Sequence, residues 1–203
     1  FKSELQTNKI ILPSIGKYGV GMIFFPNDKS RRQKLINIIE KVVYEEGQKI
    51  IYWRDVPVDS SVLGASVKSN EPCIKQVFIE MGDKISTENE FERKLYIIRK
   101  QIFRNLQIHE QKFDDFYIPS LSTRTIVYKG MVLAPNLSKY YLDFQDKSFK
   151  SAMAMFHQRF STNTFPSWQL AQPFRYLCHN GEINTVNGNI NWINSRKNST
   201  KSK

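Results

Sequence analysis

Cysteine is scarce in this sequence: the 203 residues contain two, Cys73 and Cys178. Two cysteines are too few for the disulfide framework of a small secreted domain, so a reducing compartment fits best. No apolar run approaches the roughly 20 residues that a membrane-spanning helix needs. The first twelve residues also lack the basic start and apolar centre of a secretory signal peptide. We therefore expect neither a disulfide scaffold nor a membrane partner.

Acidic residues are outnumbered, since 19 Asp and Glu face 30 Lys and Arg and give a net charge of +11. Such a charge is typical of nucleic-acid-binding proteins, and it is equally typical of a lysine-rich surface in water. The basic residues are spread along the chain and no nucleic-acid motif accompanies them, so we expect no nucleic-acid partner. Lys, Asn and Ile are abundant, which AT-rich codons favour, as in a plastid genome.

Metal-ligand patterns are also missing. The three histidines, His109, His157 and His179, have no partners at ligand spacing, so we expect no metal site. A bare Gly-x-Gly at Gly19 and Gly21 is better explained by strand packing than by a phosphate loop.

Apolar residues make up 40% of the chain, enough for a real core. Their spacing predicts a mixture of strands and helices, with a turn-rich surface segment over 54–72. A capping box at Thr87 and Glu90 precedes a helix whose apolar stripe runs to Leu106. The predicted strands are 18–25, 49–53, 74–80, 116–121, 125–133, 152–160 and 174–178, and the predicted helices are 30–46, the capped one, 137–143 and 183–195. Strands close in sequence favour an α+β fold over a regular βαβ array.

The segment 157–192 has an unusual composition. It holds one acidic residue, Glu182, among many Asn, Thr, Ser and Gln side chains, two arginines and several aromatics. Neutral hydrogen-bonding groups beside a few aromatics and Arg indicate a site for a small polar molecule.

The tripeptide His179-Asn180-Gly181 follows a predicted strand. The Asn180 side-chain NH2 and the Gly181 backbone N–H are able to converge on one oxygen, as in an oxyanion hole. The alternative is an ordinary Asn-Gly β-turn.

Arg159 lies at the end of another predicted strand and is followed by Thr162. A planar guanidinium suits bidentate capture of a carboxylate. The alternative is a structural salt bridge, which the scarcity of nearby acids disfavours. A nucleophile is not evident, because no His or carboxylate is evidently placed to activate Cys178, and Cys73 has even less support. We interpret both as packing residues.

The resemblance to a known family rests on the block HQRFSTNTFPSWQLAQPFRYLCHNGEINTVNGNINW. It resembles the glutamine amidotransferase domain of glutamate synthase large chains, a class II amidotransferase. The blocks YGVGMIFFP, GQKIIYWRDVPVD, EPCIKQVFI, ERKLYIIRKQ and FYIPSLSTRTIVYKGMVLAP look like the same family. The resemblance covers essentially the whole chain, 1–203, as part of one domain. It implies a layered α/β/β/α sandwich of the N-terminal-nucleophile hydrolase type.

The resemblance also implies roles for site residues. Asn180 and Gly181 would form the oxyanion hole, and Arg159, with Thr162 beside it, would hold the α-carboxylate of glutamine. The family's nucleophile is an N-terminal Cys whose α-amine is the base, and Phe1 is not that residue. We expect the Cys block upstream, an acidic glutamine-binding residue beyond Lys203, and hence an interior piece of a longer enzyme. Residues 1–203 alone are expected to be inactive.

For the whole enzyme, the resemblance implies glutamine hydrolysis and use of the ammonia to aminate 2-oxoglutarate reductively. FMN and a 3Fe-4S cluster, with FAD as a further candidate, are expected outside these residues, which should hold no cofactor themselves. Ferredoxin in a plastid stroma is the expected donor and location, with a pyridine nucleotide and a bacterial cytoplasm as alternatives. A non-catalytic glutamine-binding or scaffold domain is the other hypothesis.

Overall fold

The computed structural model describes residues 9–109, 114–160, 164–179, 186–197 and 199. The strands and α-helices are, in chain order, β1 (Tyr18–Phe25), α1 (Lys29–Glu45), β2 (Lys49–Asp55), α2 (Ala65–Lys68), β3 (Cys73–Glu80), α3 (Glu88–His109), β4 (Tyr117–Ser122), α4 (Leu137–Tyr140) and α5 (Val186–Arg196). Short 3-10 helices lie at Ser60–Val62, Ala134–Asn136 and Leu142–Gln145. Within these ranges no helix has the length and apolarity needed to cross a membrane.

The strands form a four-stranded sheet in the order β2-β3-β1-β4, and every neighbouring pair is antiparallel. β1 and β3 pair along their whole length, from Tyr18 opposite Glu80 to Phe25 opposite Cys73. The unit β1-α1-β2 therefore joins two strands that run in the same direction but have β3 between them. This insertion makes the sheet antiparallel, which agrees with the predicted α+β class.

The two long helices begin where the local sequence supplies a cap. The Asp28 side chain accepts the Arg31 N–H at 2.6 Å at the start of α1. At the start of α3 the predicted capping box is confirmed: Thr87 N–H donates to Glu90 Oε2 at 3.1 Å, and Glu90 N–H donates to Thr87 Oγ1 at 3.2 Å. These bonds satisfy amides that have no partner inside the helix.

Helices α1 and α3 cover one face of the sheet. Their apolar stripes, both predicted from 3.6-residue spacing, meet the side chains that β1 and β3 direct to this face. The buried residues of this core are Ile23, Phe25, Leu35, Ile39, Val42, Val43, Val77, Ile79, Phe91, Leu95, Ile98, Ile102, Leu106, Phe116, Ile118 and Leu121.

Glycine is required where elements approach closely. A Cβ on Gly19 would lie 2.5 Å from Leu95 Cδ1 of α3, and one on Gly21 would lie 2.7 Å from Val77 Cγ1. The interpretation of this Gly-x-Gly as strand packing is therefore confirmed. Gly130 admits the Trp168 ring, whose Cζ3 would lie 2.3 Å from an added Cβ.

The opposite face of the sheet buries a polar network. Arg54 on β2 donates to both carboxylate oxygens of Asp143, at 2.8 and 2.6 Å, and to Gln76 Oε1 at 3.0 Å. Tyr128 OH donates to Asp143 Oδ2 at 2.7 Å. Arg54 was predicted to start a surface segment, and this is wrong: it lies on β2 and is 1% exposed. Its counter-ion is distant in sequence, so local composition gave no sign of the burial.

The predicted strand 125–133 is wrong, because side chains replace its strand partner. Val127 N–H donates to Ser120 Oγ at 3.1 Å, and the Lys129 carbonyl accepts from Tyr141 OH at 2.8 Å. Among the described residues, no strand pairs with this segment. The predicted helix 137–143 is confirmed in part, as α4 and the start of the 3-10 helix Leu142–Gln145.

The predicted strands 152–160 and 174–178 are also wrong. The first has no strand partner among the described residues, and its Met153 and Phe156 are 82% and 74% exposed. The second folds back on itself, because Phe174 and Leu177 exchange backbone hydrogen bonds of 2.7 and 2.8 Å. The predicted helix 183–195 is confirmed as α5, while 183–185 lie outside the described residues.

The described residues thus contain a helical layer, formed by α1 and α3, packed on one antiparallel sheet. These are two adjacent layers of the predicted α/β/β/α order, and the α+β class is confirmed. The other face of the sheet carries a second buried cluster that includes Met22, Phe24 and Trp168. This face borders the candidate site.

Candidate functional site

A large cleft opens on the second face of the sheet, beside β1 and the end of β4. Its volume is about 1290 Å³, and it is lined by parts of 122–134, 144–160 and 171–176. This exceeds the roughly 300–1,000 Å³ of small-molecule pockets. A ligand the size of an amino acid would therefore occupy only part of the cleft.

Arg159 lines this cleft. Its side chain is exposed, and its backbone N–H donates to His157 Nδ1 at 3.2 Å. Among the described ion pairs none involves Arg159, so the structural salt bridge weighed as an alternative is not seen in this part of the chain. A guanidinium at the wall of a cleft is suited to holding a carboxylate.

The other three predicted site residues, Thr162, Asn180 and Gly181, lie outside the described residues. Their proximity to Arg159 and their roles stay predictions.

The backbone directly before Asn180 is fixed by a residue that the sequence did not single out. His179 N–H donates to Gln172 Oε1 at 2.8 Å, and Gln172 Nε2 donates to the His179 carbonyl at 2.7 Å. Gln172 is 6% exposed and lines the cleft. A buried amide that matches both backbone groups of one residue orients the chain as it enters Asn180. The available sequence signal was a Gln inside the acid-poor segment 157–192.

Neither cysteine has the surroundings of a nucleophile in the described structure. The Cys178 thiol donates to the Phe156 carbonyl at 3.6 Å, and no described base contacts it. Cys73 packs at the edge of the helix-side core, and burial raises the pKa of its thiol. A raised pKa opposes formation of the reactive thiolate.

Lys129 is a buried cation at the cleft wall. Its Nζ donates to the Gln169 carbonyl at 2.7 Å and lies 4.6 Å from the ring centres of both Tyr117 and Phe174. Burial lowers the pKa of Lys129 to about 7, and the two aromatic faces offset part of the desolvation cost. Through these contacts the Lys129 amine connects β4 with the segment 169–174, which contains Gln172 and precedes His179.

In the ranges that the structure describes, no group of three His, Cys, Asp or Glu side chains is suited to a metal ion. Two cysteines far apart in the chain also cannot supply the thiolates that an iron–sulfur cluster needs. An iron–sulfur cluster therefore does not fit these residues.

Comparison with known proteins gives a family match over residues 1–203, to the glutamine amidotransferases class-II. The chain is 45% identical over 197 residues to the glutamate synthase [NADPH] large chain of Bacillus subtilis, covering 97% of the chain and 13% of that protein. It is 45% identical over 183 residues to ferredoxin-dependent glutamate synthase 1, chloroplastic/mitochondrial, of Arabidopsis thaliana, covering 90% of the chain and 11% of that protein. Against the ferredoxin-dependent glutamate synthase of Pyropia yezoensis, it is 42% identical over 198 residues, with 97% and 13% covered.

These relatives are much longer than the chain, which spans 11–13% of their length. A bacterial protein named for NADPH and a plant protein named for ferredoxin match at the same identity. The similarity therefore does not distinguish the two electron donors or the plastid from a bacterial cytoplasm. The family itself is shown, because its model matches every residue: the chain belongs to the class II glutamine amidotransferases and has their α+β fold of the N-terminal-nucleophile hydrolase type.

Proposed function

We propose that this chain is part of the glutamine-hydrolysing domain of a glutamate synthase large chain. The observation that carries the proposal is 45% identity over 97% of the chain to such a large chain. The position of Arg159 at the cleft wall, without a described acidic partner, supports glutamine as the ligand. The whole chain, 1–203, would then be a portion of one amidotransferase domain.

In the proposed site, two sets of residues contact the two ends of glutamine. Arg159, with Thr162 beside it, holds the α-carboxylate through charge-assisted hydrogen bonds. The Asn180 side-chain NH2 and the Gly181 N–H stabilise the oxyanion that forms when the amide carbon is attacked. Gln172 contributes by fixing His179, the residue that precedes this oxyanion hole.

The attacking group is proposed to be an N-terminal cysteine on a segment that these residues do not include. Its α-amine, with an ordinary pKa of about 8, accepts the thiol proton near neutral pH. The thiolate forms a thioester with the glutamyl group and ammonia leaves; water then releases glutamate. The surroundings of Cys73 and Cys178 support a nucleophile outside these residues, because neither thiol contacts a described base.

The remaining steps are proposed for the whole enzyme alone. Ammonia would aminate 2-oxoglutarate reductively, and FMN and a 3Fe-4S cluster, with FAD as a further candidate, would lie in other domains. Ferredoxin in a plastid stroma is favoured by the Lys, Asn and Ile bias of the sequence, and a pyridine nucleotide in a bacterial cytoplasm is the alternative. Turnover of the full-length enzyme with reduced ferredoxin, NADPH and NADH in parallel would identify the donor.

Ammonia release from glutamine tests the hydrolytic function. We expect it from a protein that includes the N-terminal Cys segment, and we expect loss of it when that Cys is changed to Ala. The 203 residues alone should release none. A non-catalytic glutamine-binding domain is the alternative. In that case calorimetry on the longer protein would detect glutamine binding, but no ammonia would be released.

A further inference from the structure

A second, smaller pocket lies between α3, β4 and the turn at Arg175. Its volume is about 240 Å³. It is called the arginine pocket below and is lined by Glu92, Arg93, Tyr96, Arg99, Ser120, Leu121, Ser122, Thr125, Arg175 and Tyr176. It adjoins the cleft, with which it shares Ser122, Thr125, Arg175 and Tyr176.

Arg99 and Arg175 both line this pocket, and their positive charges act on one another. Arg99 is partly buried, and its pKa is lowered first by burial and then by the positive charge of Arg175. Arg175 Cζ lies 5.5 Å from the ring centre of Tyr96, a cation–π contact that directs the guanidinium over α3. Like charges at close range in a partly dry site oppose one another unless a negative group lies between them.

No acidic side chain in the described part of the chain pairs with either arginine. None of the described ion pairs involves Arg99 or Arg175, and Arg99 Nε is buried without a hydrogen bond to any described residue. Glu92 lines the pocket, but its Oε1 accepts bonds from Ser122 Oγ at 2.6 Å and from Thr123 N and Oγ1 at 2.6 and 2.8 Å. These donors compensate the Glu92 charge without using either arginine.

Further features prepare the pocket for a ligand that accepts hydrogen bonds. The buried Ser120 hydroxyl accepts the Val127 N–H at 3.1 Å, and none of the described residues accepts its own proton. Arg175 has a φ of +46°, a left-handed conformation that costs a non-glycine residue energy and that concentrates at ligand-binding positions. A buried unpaired donor is likewise costly unless something binds to it.

We propose that the arginine pocket is an anion-binding site that takes a small carboxylate or phosphate group between Arg99 and Arg175. This site is separate from the proposed glutamine clamp at Arg159 and does not depend on the glutaminase function. Since Arg175 and Gln172 lie in the same short segment, an anion bound here also restrains the turn that leads to His179.

Isothermal titration calorimetry with inorganic phosphate and with succinate tests the proposal in the full-length protein that contains this sequence. Each arginine should contribute hydrogen bonds to a charged group, so Arg99→Gln and Arg175→Ala should each weaken binding about ten- to a hundredfold. The probe that binds with the higher affinity shows whether the site prefers a phosphate or a carboxylate group. Arg175→Ala changes a residue in a surface turn and should not impair folding. This variant therefore tests the proposal even if Arg99→Gln does not fold.

Arg104→Ala is the matched control, because it removes one exposed positive charge from the same helix. It should leave both affinities unchanged. The proposal is overturned if neither probe binds, if Arg99→Gln and Arg175→Ala bind like the parent, or if Arg104→Ala weakens binding equally.

Discussion

Removing the Asp143 carboxylate should destabilise the protein strongly. Asp143 is the counter-ion of Arg54, and the two side chains are 4% and 1% exposed. It accepts from Arg54 at 2.8 and 2.6 Å and from Tyr128 OH at 2.7 Å. Asp143→Ala leaves a buried guanidinium without a counter-charge, which costs about 3–5 kcal/mol. Gln76 still accepts one Arg54 N–H, which favours the lower half of that range.

The matched control is Asp55→Ala, at the residue that follows Arg54. Asp55 pairs with Lys75, but its side chain is 77% exposed. An exposed pair of this kind contributes about 0–1 kcal/mol. Urea unfolding followed by circular dichroism measures both free energies, and the difference between the two variants should be at least about 2 kcal/mol.

A double variant separates the ion pair from simple loss of packing. Arg54→Met combined with Asp143→Leu removes both charges, so it should cost less than the sum of the two single changes. The reasoning is refuted if Asp143→Ala costs no more than Asp55→Ala, or if the two single costs simply add.

Three further predictions concern the helix cap, the buried amine and the cleft. Thr87→Ala should cost about 1 kcal/mol in urea unfolding by removing the bond to the Glu90 N–H, while Ser86→Ala should not. Burial lowers the pKa of Lys129 from 10.5 to about 7, so between these values the unfolded chain binds the extra proton and stability rises with pH, by at most about 1.4 kcal/mol per unit. Lys129→Met should flatten that slope in unfolding measured at pH 7 and pH 9, and an unchanged slope would contradict the shift. Gln172→Leu should lower kcat for glutamine hydrolysis more than it raises KM, because it frees the backbone at His179; an effect on KM alone would argue against this positioning role.

The sequence predicted the elements whose signals are local. The α3 stripe and its capping box, α1 with its end at Gly47, and strands β1 and β3 all appear at nearly the predicted bounds. Gly47 has a φ of +72°, the left-handed conformation typical of a residue after a helix. Apolar spacing and caps decide such elements before any tertiary contact is made.

The wrong predictions concern features that depend on distant partners. The segment 125–133 alternates like a strand, but Ser120 and Tyr141 side chains take the place of a neighbouring strand. Arg54 looked like a surface residue because its counter-ion lies 89 residues away. Composition cannot reveal a pairing at that separation, so the buried network was missed.

The candidate site was predictable in its chemistry and only partly in its geometry. Arg159 was singled out because a guanidinium among neutral polar residues suits a carboxylate, and it lies at the cleft wall. Gln172 and Arg175 were not singled out, because their importance comes from the turn that brings them to His179 and to α3. The roles of Thr162, Asn180 and Gly181 stay predictions.

The most direct test of the central claim is the steady-state kinetics of glutamine hydrolysis by Arg159→Lys and Asn180→Ala in the complete enzyme. Arg159 is proposed to bind the carboxylate equally in the ground and transition states, so Arg159→Lys should mainly raise KM. Asn180 is proposed to act on the oxyanion alone, so Asn180→Ala should mainly lower kcat, by about 10²–10³-fold. The opposite pattern, with kcat lost in Arg159→Lys and KM raised in Asn180→Ala, would contradict the account.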